Sequence, residues 1–428
     1  MKLPALLDLR SLRYAAGTLL LAGVCACALV LNGRSGQAVS APAAVPAPSL
    51  NGRHPANGPE ALLSRTLQEV GNRRLDAAAT EIDKIIRDYP NFRLAHLIKG
   101  DLLLARVRPL TTVGNAAGAP LDRLEDLRAE ARARTARMQQ ERPVGLVPGS
   151  VVQLLPQQRH VLVVDTARST LYVFENRGGE LSYVTDYYVS IGKNGIDKFR
   201  EGDNKTSLGV YHVTGRLSRE KLDATYGKLA ELYGVGALPI NYPNEWDRRE
   251  GRNGHGIWLH GVPLDTYSRP PLASNGCIAL TNEDFTTISR DIQIGLTPVI
   301  IANGVDWVVP GTRAVLRDSL LKQVESWRQD WESRDIDQYL AHYAADFYAG
   351  RLNLAQWSKQ KKKVNAGKEW IRVKLDRVSI FLYPGRDDLA IVTFDQSYAS
   401  NNLANRMRKR QYWIHEDGVW RILHEGRA

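Results

Sequence analysis

The spacing of apolar positions changes character twice along this chain. From Pro59, Leu63, Leu67 and Val70 recur at helical intervals, and Leu75, Ala78, Ile82, Ile85 and Ile86 continue the pattern until Pro90 stops it. A third run covers 94–105, and a charged helix is expected over 121–140. Past residue 158 the texture becomes short β-branched and aromatic runs at 161–165 and 170–174, with a turn at 167–169. Further strand-like pieces follow at 183–191, 209–214, 256–260 and 298–301, predicting a mostly β domain over 158–303. After a break near 304–311, helical spacing returns over 315–331 through Leu316, Leu320, Val324, Trp327 and Trp331. A second helical piece is expected to carry Tyr339, Tyr343 and Phe347, with strands at 370–383, 389–400, 407–415 and 419–425. Helices followed by an antiparallel sheet predict a separate α+β domain over 313–428.

The first forty residues read differently. Lys2, Arg10 and Arg13 precede an apolar run over 15–31, and small residues at 36–40 offer a cleavage site. The run is at the lower limit for spanning a bilayer, so a cleaved signal peptide and an uncleaved N-terminal membrane anchor both stay open. A lipoprotein reading through Cys27 does not fit, because the residues after it are still apolar. Either way the body of the chain is expected in the periplasm or cell envelope. Residues 41–58, rich in Pro and Ala, read as a tether. The helices over 59–142 resemble one tetratricopeptide unit and part of a second, which must dock on something to bury its face.

Composition adds little by itself: 428 residues, 43% hydrophobic and 24% charged, suit several globular domains. The net charge is +11, and +8 once Lys2, Arg10, Arg13, Arg34 and Asp8 of the first forty residues are set aside. A mild basic excess suits a polyanionic envelope, and export argues against nucleic acid as a partner. Cysteine usage is more informative. Cys25 and Cys27 lie in the export segment, which leaves Cys277 as a lone thiol, either a small buried hydrophobe or a reactive group. No zinc spacing or phosphate loop is present, so neither metal nor cofactor is expected.

The chemistry concentrates in His255-Gly-Ile-Trp-Leu-His260-Gly261 and Ser274-Asn-Gly-Cys277-Ile-Ala-Leu280. A free thiol is only a few per cent thiolate at pH 7, and an imidazolium that lowered its pKa to ~6 would make it about 90% thiolate. The attacked carbonyl also needs donors, which backbone N–H groups beside a nucleophile can supply. Gly276 permits a tight turn that leaves the sulfur unobstructed. Thr281-Asn-Glu-Asp284 has the form of a helix N-terminus, which would further favour a thiolate.

His-Gly, a loop, then Ser-x-Gly-Cys resembles the signature of L,D-transpeptidase catalytic domains, the YkuD family. Gly202-Asp-Asn-Lys-Thr-Ser-Leu-Gly-Val-Tyr211 is similar to a second family motif, with Ser207 in place of the usual proline. The resemblance implies Cys277 as nucleophile, His260 as its base, the Gly261 carbonyl as orienter of the imidazole, and Gly276 with Cys277 as oxyanion donors. Ser274 is expected to shape the loop, and with Asn275, Tyr242, Trp258 and His255 it forms the candidate substrate contacts. A regular strand would put His255 on the face opposite His260. Two departures stand out: Asn275 where many members have His, and Ala279 where many have Arg.

The C-terminal pattern resembles the nuclear transport factor 2-like fold. It is expected to hold an apolar pocket, with Trp327, Trp331, Tyr343 and Trp413 as candidate lining, although core packing is the stronger expectation for most of these. The domain order is similar to that of cell-shape L,D-carboxypeptidases of curved bacteria. The implied function is a peptidoglycan L,D-transpeptidase working on stem peptides through a cysteine acyl-enzyme. The alternatives are an L,D-carboxypeptidase trimming tetrapeptides to tripeptides, and a non-catalytic wall scaffold. A protein or wall partner for the helical and C-terminal domains, and a homodimer, stay open.

Overall fold

The computed structural model describes residues 58–115 and 118–428, so the export segment over 1–40 and the tether up to residue 57 lie outside the described residues. Among the described residues no helix is long and apolar enough to cross a membrane. They fall into two compact units that divide at residue 128, inside the helix Leu121–Gln139.

The first unit contains the helices Pro59–Gly71, Leu75–Asp88 and Arg93–Leu104. Pro59 opens the first helix, where its missing N–H costs nothing. Leu62, Leu63 and Thr66 are its buried stripe, while Leu67 and Val70 are only partly covered. Ala78, Ile82 and Ile85 of the second helix and Leu94, Ala95, Ile98 and Leu102 of the third are also buried.

In the second unit, a five-stranded sheet runs in the order Glu180–Tyr188, Thr170–Arg177, His160–Asp165, Pro298–Ala302, Gly209–His212. A smaller sheet runs Ile278–Ala279, Trp258–His260, Gly236–Pro239, Leu217–Ser218. His160–Asp165 is buried along its whole length because it serves two cores. Leu162 and Val164 face the core shared with the small sheet, together with Leu238, Leu259, Ile278 and Phe285. Val161 and Val163 face a second core with Phe381, Ile391 and Tyr412 of the C-terminal domain. Successive strand residues point to opposite faces, so a doubly covered strand reads as an unbroken apolar run.

The C-terminal domain is a seven-stranded sheet with the helices Ala314–Ser333, Ile336–Ala341 and Leu354–Ala366. Trp327, Tyr339, Phe394 and Trp413 fill the core that includes the first two helices. Two features differ from the sequence expectation. Tyr343 and Phe347 lie on the strand Tyr343–Ala349, not on a helix. And Val151–Gln153, from before the catalytic region, pairs antiparallel with Ile371–Tyr383 as an edge strand of the C-terminal sheet.

The charged helix also has a place. In the second unit, Arg134 is buried against Glu130 at 2.9 Å and lies over the Tyr188 ring, and Arg137 pairs with Asp186. Glu130 accepts from the Ser268 hydroxyl at 2.5 Å, which ties this helix to the loop between His260 and Cys277.

Candidate active site

Trp258–His260 and Ile278–Ala279 are adjacent parallel strands, with Leu259 opposite Ile278 and His260 opposite Ala279. Leu259 and Ile278 point into the core between the sheets. Alternation therefore turns His260 to the other face, the one toward which Cys277, just before Ile278, also points. That face is covered by the helical segment over 219–233, whose Tyr233 ring stands edge-on to His260 with centroids 5.2 Å apart. Tyr226, Tyr233 and Trp258 form a continuous aromatic wall.

His260 is buried, and its Nδ1 donates to the Gly261 carbonyl. A carbonyl can only accept, so Nδ1 carries the proton and Nε2 is the basic nitrogen. Asn282 fixes this turn: its side-chain oxygen accepts from Val262 and Val235 N–H, both at 3.2 Å, and its amide donates to the Val262 carbonyl. Gly261 is required there, since a Cβ would sit 2.1 Å from Asn282 Oδ1.

Cys277 lies at the end of a loop braced from within. The Ser274 hydroxyl donates to the Cys277 carbonyl at 2.6 Å and accepts from Gly276 N–H at 3.1 Å. Thr206 donates to the Gly276 carbonyl at 2.9 Å and accepts from Gly192 N–H. The second motif thus packs beneath the cysteine loop, and Asp203 organises it. Burial would raise the Asp203 carboxyl, yet Lys198 and the N–H groups of Arg200, Phe199 and Lys205 hold it well below the usual carboxylate range. Gly276 has φ +120°, and a Cβ on it would meet the Lys205 carbonyl at 2.7 Å.

Burial governs the electrostatics of the pair. The Cys277 thiol is 9% exposed and donates to the Gly256 carbonyl at 3.2 Å. Burial pushes it up to about 11, against the lowering effect of Trp258 N–H, Lys198 and Arg269. Burial likewise brings His260 down to about 4. Desolvation disfavours both charged forms. Burial thus favours a neutral thiol and a neutral imidazole over the thiolate–imidazolium pair considered from sequence. The helix expected to favour a thiolate, Asn282–Asp291, begins only after the intervening strand Ile278–Ala279, with Thr281 as its N-cap.

The other predicted residues divide. Trp258 is half-buried beside His260, and Asn275 is exposed at the tip of the cysteine loop. Ser274 is 2% exposed with its hydroxyl committed to the loop, which it braces. Gly276 N–H is taken by that hydroxyl, leaving Cys277 N–H as the member of the expected donor pair not engaged in this way. Tyr242 belongs to the core, its hydroxyl on the Asn253 carbonyl at 3.1 Å. His255 precedes the strand and is exposed beside Glu201, so the strand-face argument does not apply to it. Thr206, Tyr233 and Asn282 were missed as site residues. Thr206 lies inside the second quoted motif and Asn282 inside the expected helix N-terminus, while Tyr233 carried no sequence signal.

Residues 159–301 match the L,D-transpeptidase catalytic domain family (YkuD), and residues 319–426 match the Cds6 C-terminal NTF2-like domain. The solved structure of Bdellovibrio bacteriovorus Bd1075 is 32% identical, with a TM-score of 0.55 over 66% of this chain and 98% of that one. The chain belongs to the L,D-transpeptidase family. The helical cell shape determining protein Pgp2 from Campylobacter jejuni shares the fold at 23% identity and TM-score 0.56, over 65% of this chain and 95% of Pgp2. "Putative L,D-transpeptidase YafK" of Escherichia coli K12 is 28% identical over 120 residues, 28% of this chain and only 41% of YafK's length. This member of the family therefore carries a mostly β catalytic region followed by an α+β NTF2-like domain.

The NTF2-like domain holds a cavity of about 400 Å³ whose lining includes Trp331, Tyr339, Trp357, Lys361, Lys409 and Glu425. Of the four aromatics considered from sequence, Trp331 lines it, while Trp327, Tyr343 and Trp413 belong to the core. The Lys361 amine lies 4.1 Å from the Trp357 ring centre, and burial lowers it to about 8.

Proposed function

We propose that the protein is a peptidoglycan L,D-transpeptidase of the cell envelope that works through a Cys277 acyl-enzyme on stem peptides. The observation that carries the reading is the His260 geometry: Nδ1–H held by the Gly261 carbonyl, leaving Nε2 basic on the sheet face shared with Cys277. His260 Nε2 takes the thiol proton as the sulfur attacks the scissile carbonyl carbon. The tetrahedral oxyanion then collapses, His260 returns the proton to the departing amine, and a thioester remains. An acceptor amine attacks the thioester, passes its proton to His260 and regenerates the thiol. A neutral imidazole suits this sequence, because it can accept a proton at the moment of attack.

A second reading is favoured by one observation. The whole catalytic and NTF2-like arrangement is shared with Bd1075 and, as a fold, with the cell shape determinant Pgp2. Water would then take the place of the amine, and tetrapeptides would be trimmed to tripeptides. The NTF2-like and helical regions would hold wall or protein partners in either case.

Mass spectrometry of muropeptides separates these readings. Purified enzyme is incubated with disaccharide tetrapeptide, with and without excess D-amino acid. Exchanged or cross-linked products support transfer, and tripeptide as sole product whatever amine is offered replaces it by trimming. Cys277→Ala and His260→Ala should each abolish turnover, and substantial activity in Cys277→Ala would remove the acyl-enzyme mechanism.

A further inference from the structure

A cysteine acyl-enzyme that removes the last residue of a stem peptide must recognise a free α-carboxylate, and Arg269 is placed to do so. Its backbone is locked beside the nucleophile strand. The Arg269 carbonyl accepts from the Tyr188 hydroxyl at 2.9 Å and the Ser190 hydroxyl at 3.1 Å. Ser190 in turn exchanges both backbone hydrogen bonds with Ala279, two residues after Cys277. The loop that follows is zipped along the same segment, with Ile191 N–H on the Pro271 carbonyl and Lys193 N–H on the Ser274 carbonyl. On its other side, Ser268 is anchored to Glu130. The loop between His260 and Cys277 thus holds Arg269 at a fixed position.

The side chain is a half-buried cation whose charge nothing nearby answers. Among the described residues no carboxylate pairs with it, and one guanidinium nitrogen donates to the Ala273 carbonyl. A guanidinium has five N–H donors in a planar fork, matched to a carboxylate. Its field reaches both members of the pair, favouring the Cys277 thiolate and opposing protonation of His260. With a single guanidinium hydrogen bond among the described residues, to the Ala273 carbonyl, the fork keeps N–H donors available to an anion. Ala279, the strand residue opposite His260, is small and apolar and offers no competing cation.

We infer that Arg269 binds the terminal α-carboxylate of the stem peptide whose preceding carbonyl Cys277 attacks, so that only stems with a free C-terminus are good donors. This assignment rests on the stem-peptide reading above. Holding the leaving residue by its carboxylate fixes the scissile carbonyl one residue away, over the thiol.

The test compares a tetrapeptide muropeptide bearing a free terminal carboxylate with the same muropeptide as its carboxamide, using the full chain. Wild-type enzyme should prefer the free acid by about 10- to 100-fold in kcat/KM, the range of a charge-assisted hydrogen bond pair. Arg269→Gln should lower kcat/KM for the acid by a similar factor and erase the preference, with Arg269→Lys retaining part of it. Wild-type activity without preference for the acid overturns the Arg269 assignment alone. So does an Arg269→Gln enzyme that is equally slowed on both substrates, or one that keeps the preference while only the pH profile of Cys277 alkylation by iodoacetamide moves. Wild-type inactivity on both muropeptides overturns the stem-peptide reading and this assignment with it.

Discussion

Asn282 grips both polar groups of the Val262 backbone, accepting its N–H at 3.2 Å and donating to its carbonyl at 3.0 Å. A residue at the start of a helix thereby sets the turn that orients His260. Gly261 is the point of closest approach, with no room for a Cβ against Asn282 Oδ1. Gly261→Ala should cost about 1–3 kcal/mol of stability through overpacking. Its kcat/KM should fall about 10- to 100-fold as the imidazole shifts. Asn282→Ala removes the clashing atom, so the double variant should be more stable than the two single losses added together. Strict additivity in urea melts would mean the two residues do not meet.

The neutral resting pair makes a kinetic prediction. With its pKa near 11, Cys277 is thiolate in only about one molecule in ten thousand at pH 7. Alkylation by iodoacetamide should therefore be slow at neutral pH and keep rising through pH 9 without a plateau. A plateau between pH 6 and 7 would instead mark a thiolate–imidazolium pair already formed at rest.

Stability should follow pH through His260. Its folded value, near 4, lies below its ordinary 6.5 because burial opposes the charge. The unfolded chain then binds more protons between these values, so stability is full above pH 6.5 and is lost as pH falls toward 4. The fall from 6.5 to about 4 corresponds to about 3 kcal/mol at most. Asp247, raised from 3.8 to about 6 by burial, acts in the opposite sense over most of the same window. The discriminating measurement is the slope of the urea midpoint against pH, which His260→Gln should reduce by this contribution. An unchanged slope would mean His260 is already protonable when folded.

What the sequence made legible follows from period and length. The doubly buried strand His160–Asp165 and the C-terminal strand Arg386–Ser400 stood out through their unbroken apolar runs. Tyr343 and Phe347 misled because a spacing of four from Tyr339, which is helical, places residues on one side of a helix and also on one face of a strand. Val151–Gln153 is three residues long, too short for any period, and its partner lies more than two hundred residues later. At the site, Cys277 and His260 were readable from the spacing of two short motifs. Asn282 and Tyr233 were not, since each acts through a contact between distant segments. The direction of the Cys277 and His260 shifts depends on burial, which no local pattern reports.

The last prediction concerns removal of the NTF2-like domain. From sequence, a chain ending near Pro310 should keep its catalytic residues and lose activity on intact sacculi more than on small muropeptides. The interface argues otherwise. Trp246, 4% exposed, stacks on Tyr412 with centroids 4.7 Å apart, and beside it Glu245 pairs with Arg410 at 2.9 Å. Tyr383 donates to the Leu208 carbonyl at 3.0 Å, within the motif that braces the cysteine loop. Ending at Pro310 would uncover Val161, Val163, Phe174, Val210 and Ile300 on one face of the catalytic sheet and strip Val151–Gln153 of its partner strand. An exposed apolar face of this kind promotes aggregation. The truncated chain should therefore be poorly soluble and lose activity on sacculi and muropeptides alike. Trp246→Ala, a milder cut at the same contact, should cost about 3–5 kcal/mol in urea unfolding. A soluble truncated chain with wild-type kcat/KM on small muropeptides would show that the catalytic region stands without this interface.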